Sequence, residues 1–278
     1  MQDKLTQLKE FLNFGVTEIV TNEARNYLEP KAKIEEITKC PKVNHPPKIQ
    51  FKLPESEMKN IQEAANNAMM PPNEAISMAR ELADKSNSLT ELKENLGNFN
   101  GCSLKNTAKQ MVFSDGTPQS KIMLIGEAPG ANEDEQGIPF CGQSGKLLDD
   151  IFKAISLFRE KNLYISNSVF WRPPGNRRPT DSEIAICRPF VEKHIALLKP
   201  KIIILIGSTA TASLLPDITE TISKVRGRFM KYNNQYLTDE ITISAIFHPS
   251  YLLRQPQKKS LMWQDILKIN KFLTENND

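Results

Sequence analysis

The sequence predicts an α/β protein, a three-layer αβα sandwich around a central, mainly parallel sheet of four strands. Four short apolar runs are the first observation, and they lie at residues 121–125, 163–170, 201–207 and 241–247. Such near-continuous runs are typical of strands that are buried on both faces of a parallel sheet. Helix signals between most of the runs are the second observation, because helices that connect parallel strands cover both faces of the sheet.

Residues 1–88 differ from the rest of the chain and are predicted to form a partly disordered helical appendage. Apolar residues within 5–12 can share one helical face, whereas the segment 40–54 is polar and rich in proline, as in a linker. The pair Pro71-Pro72 is expected to break a second helical stretch. We therefore place the compact domain at residues 89–278 and expect an unidentified protein partner for the appendage, with a poorly ordered tail as the alternative.

The first predicted strand leads into the most informative stretch of the chain. It ends in Gly126-Glu-Ala-Pro-Gly130, where two glycines and a proline allow a sharp turn and a close approach to a ligand. Glu127 and Glu133 place carboxylates at the edge where open α/β sheets bind ligands. Residues 142–145 form a glycine-rich turn before a helix, but the spacing is neither a Walker loop nor GxGxxG. An ordinary strand-to-helix connection therefore stays open as the alternative.

The later strands also end in polar groups. Asn167 lies in the second strand and His248 directly follows the fourth. Since parallel strands bring their carboxyl ends side by side, Glu127, Asn167 and His248 can converge. Each residue also has a plain structural interpretation, because a lone strand Asn or a His before Pro often only completes local structure. Between these strands, Thr180-Asp-Ser-Glu183 has the spacing of a capping box and predicts the start of a helix.

Composition narrows the class of protein. The chain has 278 residues, of which 39% are hydrophobic, and this is enough for a real core. The apolar runs fall short of the roughly 18 residues of a membrane span, and the N-terminus lacks a signal-peptide core. We therefore expect a cytoplasmic monomer without a membrane partner. The formal net charge of +3 does not by itself indicate a polyanionic partner.

A set of motifs resembles the family 4 uracil-DNA glycosylases in both order and spacing. The motifs are Gly126-Glu-Ala-Pro-Gly130, Glu133-Asp134, Gly137-x-Pro-Phe140, Asn167 followed by Arg172-Pro-Pro, and His248-Pro-Ser250. The resemblance covers residues 89–273. It implies an enzyme of base excision repair that flips uracil out of DNA and hydrolyses its N-glycosidic bond to leave an abasic site. Its partner would be DNA that contains uracil.

The resemblance implies a role for each residue of the predicted pocket. Phe140 would stack on the base, and Asn167 would pair with N3–H and O4 of uracil. His248 would donate a hydrogen bond to O2 as negative charge develops there, and Gly126 belongs to the same uracil-binding set.

The general base cannot be copied from the better-known family 1 enzymes. Those enzymes have an Asp where this sequence has Ala128. Glu127 and Glu133 are the candidates for positioning water and for stabilising positive charge on the sugar, and the sequence leaves open how they divide this work.

The DNA-binding surface is predicted from basic residues near the strand ends. Three clusters occur: Arg172, Arg177 and Arg178; Lys224, Arg226, Arg228 and Lys231; and Arg254, Lys258 and Lys259. They are expected to contact phosphates, with an ordinary solvated surface as the alternative. By resemblance, Leu252 or Leu253 would wedge into the base stack, with core packing as the alternative.

The main departure from the family concerns a metal cofactor. Family 4 enzymes hold a four-iron, four-sulfur cluster with four cysteines. Here only Cys102 and Cys187 match, and Phe99 and Trp171 occupy the other two positions. The remaining cysteines are remote or lie at the pocket. We therefore predict that the protein has no metal site and no cofactor, and that the two aromatic side chains fill the cluster site by packing around two free thiols.

Two other classes of function remain open from the sequence. One is a catalytically degenerate DNA-binding module of the same fold, which the intact Phe140, Asn167 and His248 argue against. The other is an unrelated nucleotide-binding α/β protein, which would need a phosphate-binding signature that the sequence lacks.

Overall fold

Six strands form one sheet in the part of the chain, residues 70–276, that a computed structural model describes. The strands are β1 Asp115–Gly116, β2 Ile122–Gly126, β3 Tyr164–Asn167, β4 Ile202–Ile206, β5 Phe229–Tyr232 and β6 Ile241–Ile246. Their order across the sheet is β1-β3-β2-β4-β6-β5. The predictions for the helical face and the linker of the appendage lie outside the described residues.

The four predicted strands are the four inner strands, and β3, β2, β4 and β6 are parallel. The α/β class is therefore confirmed, but the predicted number of four strands is wrong. Two antiparallel edge strands, β1 and β5, complete the sheet. Both lack the signal of a buried strand, because β1 has two residues and β5 alternates between an exposed Phe229 and a buried Tyr232.

Helices cover both faces of the sheet. They are α1 Pro72–Lys85, α2 Leu89–Asn98, α3 Ala131–Gln136, α4 Gln143–Lys153, α5 Asp181–Leu198, α6 Ser208–Leu214, α7 Ile222–Val225, α8 Pro249–Arg254 and α9 Lys259–Glu275. Short 3-10 helices span Ser103–Asn106, Pro174–Asn176 and Pro256–Lys258.

The inner strands alternate between two apolar cores. In β2, Met123 and Ile125 join the core that contains α1, α2 and α5, whereas Ile122 and Leu124 join the core that contains α4 and α9. This alternation follows from the two-residue period of a strand, and it produces the predicted three layers.

The predicted capping box is present at the start of α5. The Thr180 hydroxyl accepts a hydrogen bond from the backbone N–H of Glu183 at 3.2 Å, and the Glu183 carboxylate accepts one from the N–H of Thr180 at 2.7 Å. These bonds satisfy two N–H groups that a helix start otherwise leaves unpaired.

Helix α1 corrects the predicted start of the compact domain. Ala75, Ala79 and Ala83 are fully buried in the same core as α5, so the domain extends upstream of residue 89 to include this helix. Pro71 caps the helix and Pro72 is its first residue. Proline is well tolerated there because its missing N–H has no helical partner, so the pair marks the start of this helix. Whether it also ends a helical stretch before residue 70 stays a prediction, since that stretch lies outside the described residues.

Within residues 70–276, no helix combines the length and the apolarity that crossing a membrane requires.

Candidate active site

A cavity of about 830 Å³ opens at the carboxyl ends of the parallel strands. Glu127 follows β2, Asn167 ends β3 and His248 follows β6, and all three line this cavity. Phe140, from the loop before α4, joins them. The structure therefore brings together the residues that the sequence placed at this edge, because the parallel order aligns the strand ends.

Gly126 allows the two uracil-binding candidates to approach one another. A Cβ atom at this position would lie 2.5 Å from the Phe140 ring and 2.4 Å from the Asn167 side-chain oxygen. Both distances are far below ordinary contact, so a larger residue would displace the ring, the amide or both. In the sheet, Gly126 lies directly beside Asn167 in the parallel register of β2 and β3.

Asn167 has an unused donor. Its side chain is 2% exposed, and its Nδ2 atom has no hydrogen-bond partner within residues 70–276. A buried donor without a partner costs free energy, roughly 1–3 kcal/mol in proteins. The amide is therefore suited to a ligand that brings an acceptor into the cavity.

The His248 ring is held in one tautomer. Its Nδ1 atom accepts a hydrogen bond from the backbone N–H of Ser250 at 3.1 Å and lies 2.8 Å from the Ser250 hydroxyl oxygen. Since Nδ1 accepts, the neutral ring carries its proton on Nε2. The Phe140 and His248 ring centroids are 5.8 Å apart, so the donor and the stacking ring serve the same cavity.

The surroundings of His248 favour the neutral ring. Burial lowers the pKa of the imidazole below its usual value of 6.5, and the positive charge of Arg254 acts in the same direction. Glu127 and Glu133 oppose this shift, but burial outweighs them. At neutral pH the ring is therefore an uncharged hydrogen-bond donor.

The two candidate carboxylates have different surroundings. Glu133 accepts hydrogen bonds from the backbone N–H of Gly130 at 3.1 Å and of Gly142 at 3.0 Å. It thereby joins the loop after β2 to the start of α4. Glu127 lies on the cavity wall, close enough to His248 for its charge to raise the pKa of that ring. Glu133 lines the same cavity and its charge acts on His248 in the same direction, so what distinguishes it from Glu127 is that its carboxylate also holds two loops together.

Of the arginines predicted to contact phosphates, two line the cavity and two others lie on the loop after β3. Arg177 and Arg254 line the cavity, and Arg178 is exposed on the same loop as Arg177. Arg177 also makes a two-pronged ion pair with Glu183, at 2.6 and 2.8 Å. The Nε atom of Arg172 donates to the Asn176 side chain at 2.7 Å, and its Nη1 atom lies 3.7 Å from the buried carboxylate of Asp134. The Arg172 side chain is partly exposed.

Arg226 does not belong to this exposed set. Its Nη1 atom donates to the Leu261 carbonyl at 2.8 Å and to the buried carboxylate of Asp265 at 2.5 Å. The guanidinium also lies over the Phe247 ring, 5.1 Å from its centroid. The prediction that Arg226 contacts DNA is therefore at odds with its position, because its charge already neutralises Asp265.

The two candidate wedge residues lie in different environments. Leu252 is fully buried in the core beside α4 and α9, whereas Leu253 is 36% exposed. Of the two, only Leu253 presents an apolar side chain at the surface. The buried position of Leu252 fits the alternative to a wedge, which is packing in the core.

The residues at the cluster positions do not fit an iron–sulfur cluster. Phe99 and Trp171 are buried large side chains, and the rings of Phe99 and Phe190 pack at 5.3 Å. Cys102 and Cys187 are free, buried thiols. The hydrogen bond between Cys102 and Cys187, together with burial, raises the pKa of the Cys187 thiol well above its usual value. Two of the four thiolates that such a cluster needs are thus replaced by hydrocarbon.

Residues 70–276 contain no group of three or more His, Cys, Asp or Glu side chains placed to hold a metal ion.

Sequence reasoning missed some residues of the site. Ser208 and Ser223 line the cavity, and Arg159 holds the backbone of Phe140. Isolated serines give no pattern in a sequence. Arg159 lies between a helix and a strand without a neighbouring motif, so only the folded chain shows its contacts.

Together, the fold and the site define an α/β protein with a cavity of aromatic and polar side chains at the carboxyl edge of its sheet. The family model for the Uracil DNA glycosylase superfamily matches residues 113–268, which is more than half of the chain. The chain therefore belongs to the uracil-DNA glycosylase superfamily. Its similarity to several type-4 enzymes places it in the type-4 group of that superfamily.

Several curated relatives carry the same name. The type-4 uracil-DNA glycosylase of Sulfurisphaera tokodaii is 36% identical over 185 residues, which cover 66% of this chain and 83% of the relative. The type-4 uracil-DNA glycosylase of Archaeoglobus fulgidus is 33% identical over 185 residues, which cover 66% of this chain and 92% of the relative. A type-5 uracil-DNA glycosylase of Thermus thermophilus is 30% identical over a shorter stretch of 114 residues.

Proposed function

We propose that this protein is a uracil-DNA glycosylase, which flips uracil out of DNA and hydrolyses its N-glycosidic bond to leave an abasic site. One observation carries the proposal most directly. The buried amide of Asn167, whose Nδ2 atom has no hydrogen-bond partner in the described part of the chain, shares a cavity with an aromatic ring and a neutral imidazole. The type-4 relatives, named for action on uracil in DNA, support uracil as the base.

Uracil matches the cavity through its pattern of donors and acceptors. Its N3–H donor lies between two carbonyl acceptors, so the Asn167 amide can accept from N3–H and donate to O4. Cytosine carries an acceptor at N3 and an amino donor at C4, and it would leave both groups of the amide facing a like group. A site strongly rejects a ligand that would leave the buried polar groups of the site without matching partners. Phe140 stacks on the face of the base.

The reaction breaks the bond between C1′ of the sugar and N1 of uracil. The bonding electrons leave with the base, and negative charge spreads onto O2. We assign the Nε2–H of His248 as the donor to that oxygen, because the tautomer directs this proton away from Ser250. A donor placed where charge develops typically contributes about 10²–10³ in rate. The water oxygen then bonds to C1′ and releases a proton.

Glu127 is assigned to the sugar side of the reaction. Glu127 lines the cavity, and from there its carboxylate can stabilise the positive charge that develops on the sugar and orient the attacking water. Glu133 is assigned to holding the loop after β2 and the start of α4 together, since both its oxygens accept backbone N–H groups.

We assign the phosphate contacts to Arg172, Arg177, Arg178 and Arg254. Arg177 and Arg254 line the cavity, and Arg172 and Arg178 lie on the same loop after β3 as Arg177. Leu253, exposed at the end of α8, is assigned as the wedge that fills the space left by the flipped base.

The test is uracil-dependent formation of abasic sites. Purified full-length protein is incubated with oligonucleotides that contain one uracil or, at the same position, one cytosine. We expect abasic sites only with uracil. His248→Asn, purified in the same way, is the control for a contaminating glycosylase and should lose most of the activity. If the protein binds DNA but makes no abasic sites at any salt concentration, the degenerate DNA-binding module is the correct function.

A further inference from the structure

Arg159 binds the backbone on both sides of the stacking ring. This residue lies between α4 and β3, and it does not line the cavity. Its Nη1 atom donates to the Pro139 carbonyl at 2.7 Å, and its Nη2 atom donates to the Phe140 carbonyl at 2.6 Å. One planar guanidinium therefore fixes two consecutive carbonyl groups.

Two carboxylates hold the guanidinium in place. Its Nε atom donates to Asp149 of α4 at 2.7 Å, and Nη1 also donates to Asp115 of β1 at 3.0 Å. The Arg159 side chain is 12% exposed. Burial lowers the pKa of the guanidinium, but the two carboxylates outweigh burial and raise it, so the group stays charged. The cation is thus bound to the sheet, to a helix and to the loop of Phe140.

The conformation of Phe140 explains why such support matters. Its φ is +53°, in the left-handed region that residues with a side chain rarely adopt. Backbone strain of this kind persists only where the surroundings determine it. On one side, a Cβ atom at Gly145 would lie 1.6 Å from the Phe140 carbonyl oxygen, so the loop is in tight contact with α4.

The strained backbone conformation of Phe140 determines where its ring lies in the site. The ring rests against Gly126 and lines the cavity. A relaxed backbone at Phe140 would move the ring relative to Asn167 and His248. Lysine could not replace the arginine, since one ammonium group does not present a planar fork to two carbonyls and two carboxylates.

We propose that Arg159 is a positioning residue for base stacking, which keeps Phe140 in its left-handed conformation with its ring in the cavity. The inference rests on the proposed function for its catalytic consequence, but the position of the ring can be measured without catalysis. An ion pair that only stabilises the fold would lower stability without a specific effect on Phe140.

The first test observes the ring directly. Phe140 is replaced by 4-fluorophenylalanine in the full-length protein, and the fluorine spectrum is recorded for the otherwise unchanged chain, for Arg159→Gln and for Arg188→Gln. Arg188 is the matched control, since its ion pair with Glu192 lies within α5, across the sheet. We expect one narrow resonance in the unchanged chain and in the control. Arg159→Gln should shift or broaden it, and an unchanged resonance in a folded Arg159→Gln protein would overturn the proposal.

The second test uses single-turnover excision of uracil by four folded proteins: unchanged, Arg159→Gln, Phe140→Ala and the double variant. Arg159→Gln should slow excision by about ten- to a hundredfold, as a displaced reacting group does. The double variant should be no slower than Phe140→Ala within about twofold, because both changes remove one interaction. If the rate of the double variant fell by the product of the two single effects, the proposal would be wrong.

A substitute variant and a readout that does not depend on catalysis keep failure of folding, failure of the proposed function and failure of the inference distinct. If Arg159→Gln does not fold, Asp149→Asn replaces it in both tests, since it removes one support and leaves the guanidinium in place. A narrow, unshifted resonance and an unchanged rate in that variant would then overturn the inference. If the unchanged chain fails to excise uracil, the proposed function fails, whereas the fluorine spectra still decide whether Arg159 positions Phe140.

Discussion

The Nδ1 atom of His248 accepts the backbone N–H of Ser250 at 3.1 Å, so the proposed catalytic ring is also the cap of helix α8. Capping by a side-chain acceptor satisfies a helix N–H that otherwise has no partner. The bond also fixes the proton on Nε2, where the proposed mechanism places the donor to the base. The helix cap and the proposed catalytic donor are therefore opposite atoms of one ring, and substitutions can separate them.

His248→Asn should remove catalysis while preserving the cap. Asn is a strong helix cap, but its short side chain does not replace the Nε2–H donor. We expect the single-turnover rate to fall by about 10²–10³ with little change in melting temperature or DNA affinity. His248→Ala should lose a similar factor in rate and, in addition, about 1 kcal/mol of stability with the cap. An unchanged rate in His248→Asn would show that the ring is only structural.

Asn167→Asp tests the assignment of base recognition. A carboxyl group can accept from N3–H but, when ionised, cannot donate to O4, so uracil excision should slow strongly. Discrimination against cytosine should weaken, because the amino group of cytosine donates to an acceptor. The measurement is the single-turnover rate on uracil and cytosine oligonucleotides, with Asn176→Asp at the cavity rim as the control. If Asn167→Asp retains full uracil activity, the amide does not read the base.

Arg226 and Arg254 should respond differently to alanine substitution. Asp265 is fully buried, and its Oδ1 atom has no partner within the described residues, so removal of Arg226 leaves a buried carboxylate without its cation. Loss of one partner of a buried pair costs about 3–5 kcal/mol. Arg254→Ala should leave the free energy of unfolding unchanged and reduce the salt dependence of DNA binding by about one phosphate contact. Denaturant unfolding and salt titrations of binding measure the two effects, and the reverse result would restore the sequence-based assignment of Arg226.

These two arginines show where the sequence is informative and where it is not. A basic cluster indicates positive charge, but the partner of Arg226 lies 39 positions further along the chain, on a helix whose packing the sequence does not reveal. In contrast, the convergence of Glu127, Asn167 and His248 could be predicted, because four apolar runs define a parallel sheet and a parallel sheet aligns its strand ends.

The missed features, which are the packing of helix α1 into the domain, the edge strand β5 and the backbone of Phe140, have related physical causes. Helix α1 packs through alanines, which give a weak apolar periodicity, although Ala75, Ala79 and Ala83 lie four positions apart and are fully buried. The edge strand β5 exposes Phe229 and is paired on one side only, so it lacks a continuous apolar run. The left-handed backbone of Phe140 depends on Arg159 and Gly145, and no local pattern encodes those contacts.

His194 should make stability depend on pH. The ring is fully buried and stacks on Phe113 at 4.4 Å, while its Nε2 atom lies 2.8 Å from the Tyr164 hydroxyl. Burial lowers the pKa of His194 from 6.5 to about 3. Between these values the unfolded chain binds a proton that the folded chain does not bind. The free energy of unfolding should therefore fall as the pH falls below 6.5, by up to about 1.4 kcal/mol per pH unit.

The comparison of His194→Gln with the unchanged chain isolates this contribution. Urea unfolding at about pH 7 and about pH 5 should show a larger stability difference between the two proteins at the higher pH. His248, whose pKa burial also lowers, is present in both proteins and cancels. A stability difference that is equal at both pH values would show that His194 takes up its proton as readily in the folded chain.

The positions of Phe99 and Trp171 lead to a prediction about iron. Since both rings fill buried space where the family places cysteines, we expect protein purified without oxygen to be colourless, to lack stoichiometric iron and sulfide, and to fold without iron.

Phe99→Cys combined with Trp171→Cys restores four thiols but removes two buried rings, each of which contributes about 3–5 kcal/mol. That double variant should be unstable without iron and partly rescued when it is matured with iron and sulfide. The matched control, Phe99→Ala with Trp171→Ala, loses the same rings without gaining thiols, so iron should not rescue it. Stoichiometric iron and sulfide in the unmodified protein would show that other ligands complete a cluster and that the two aromatic residues do not replace it.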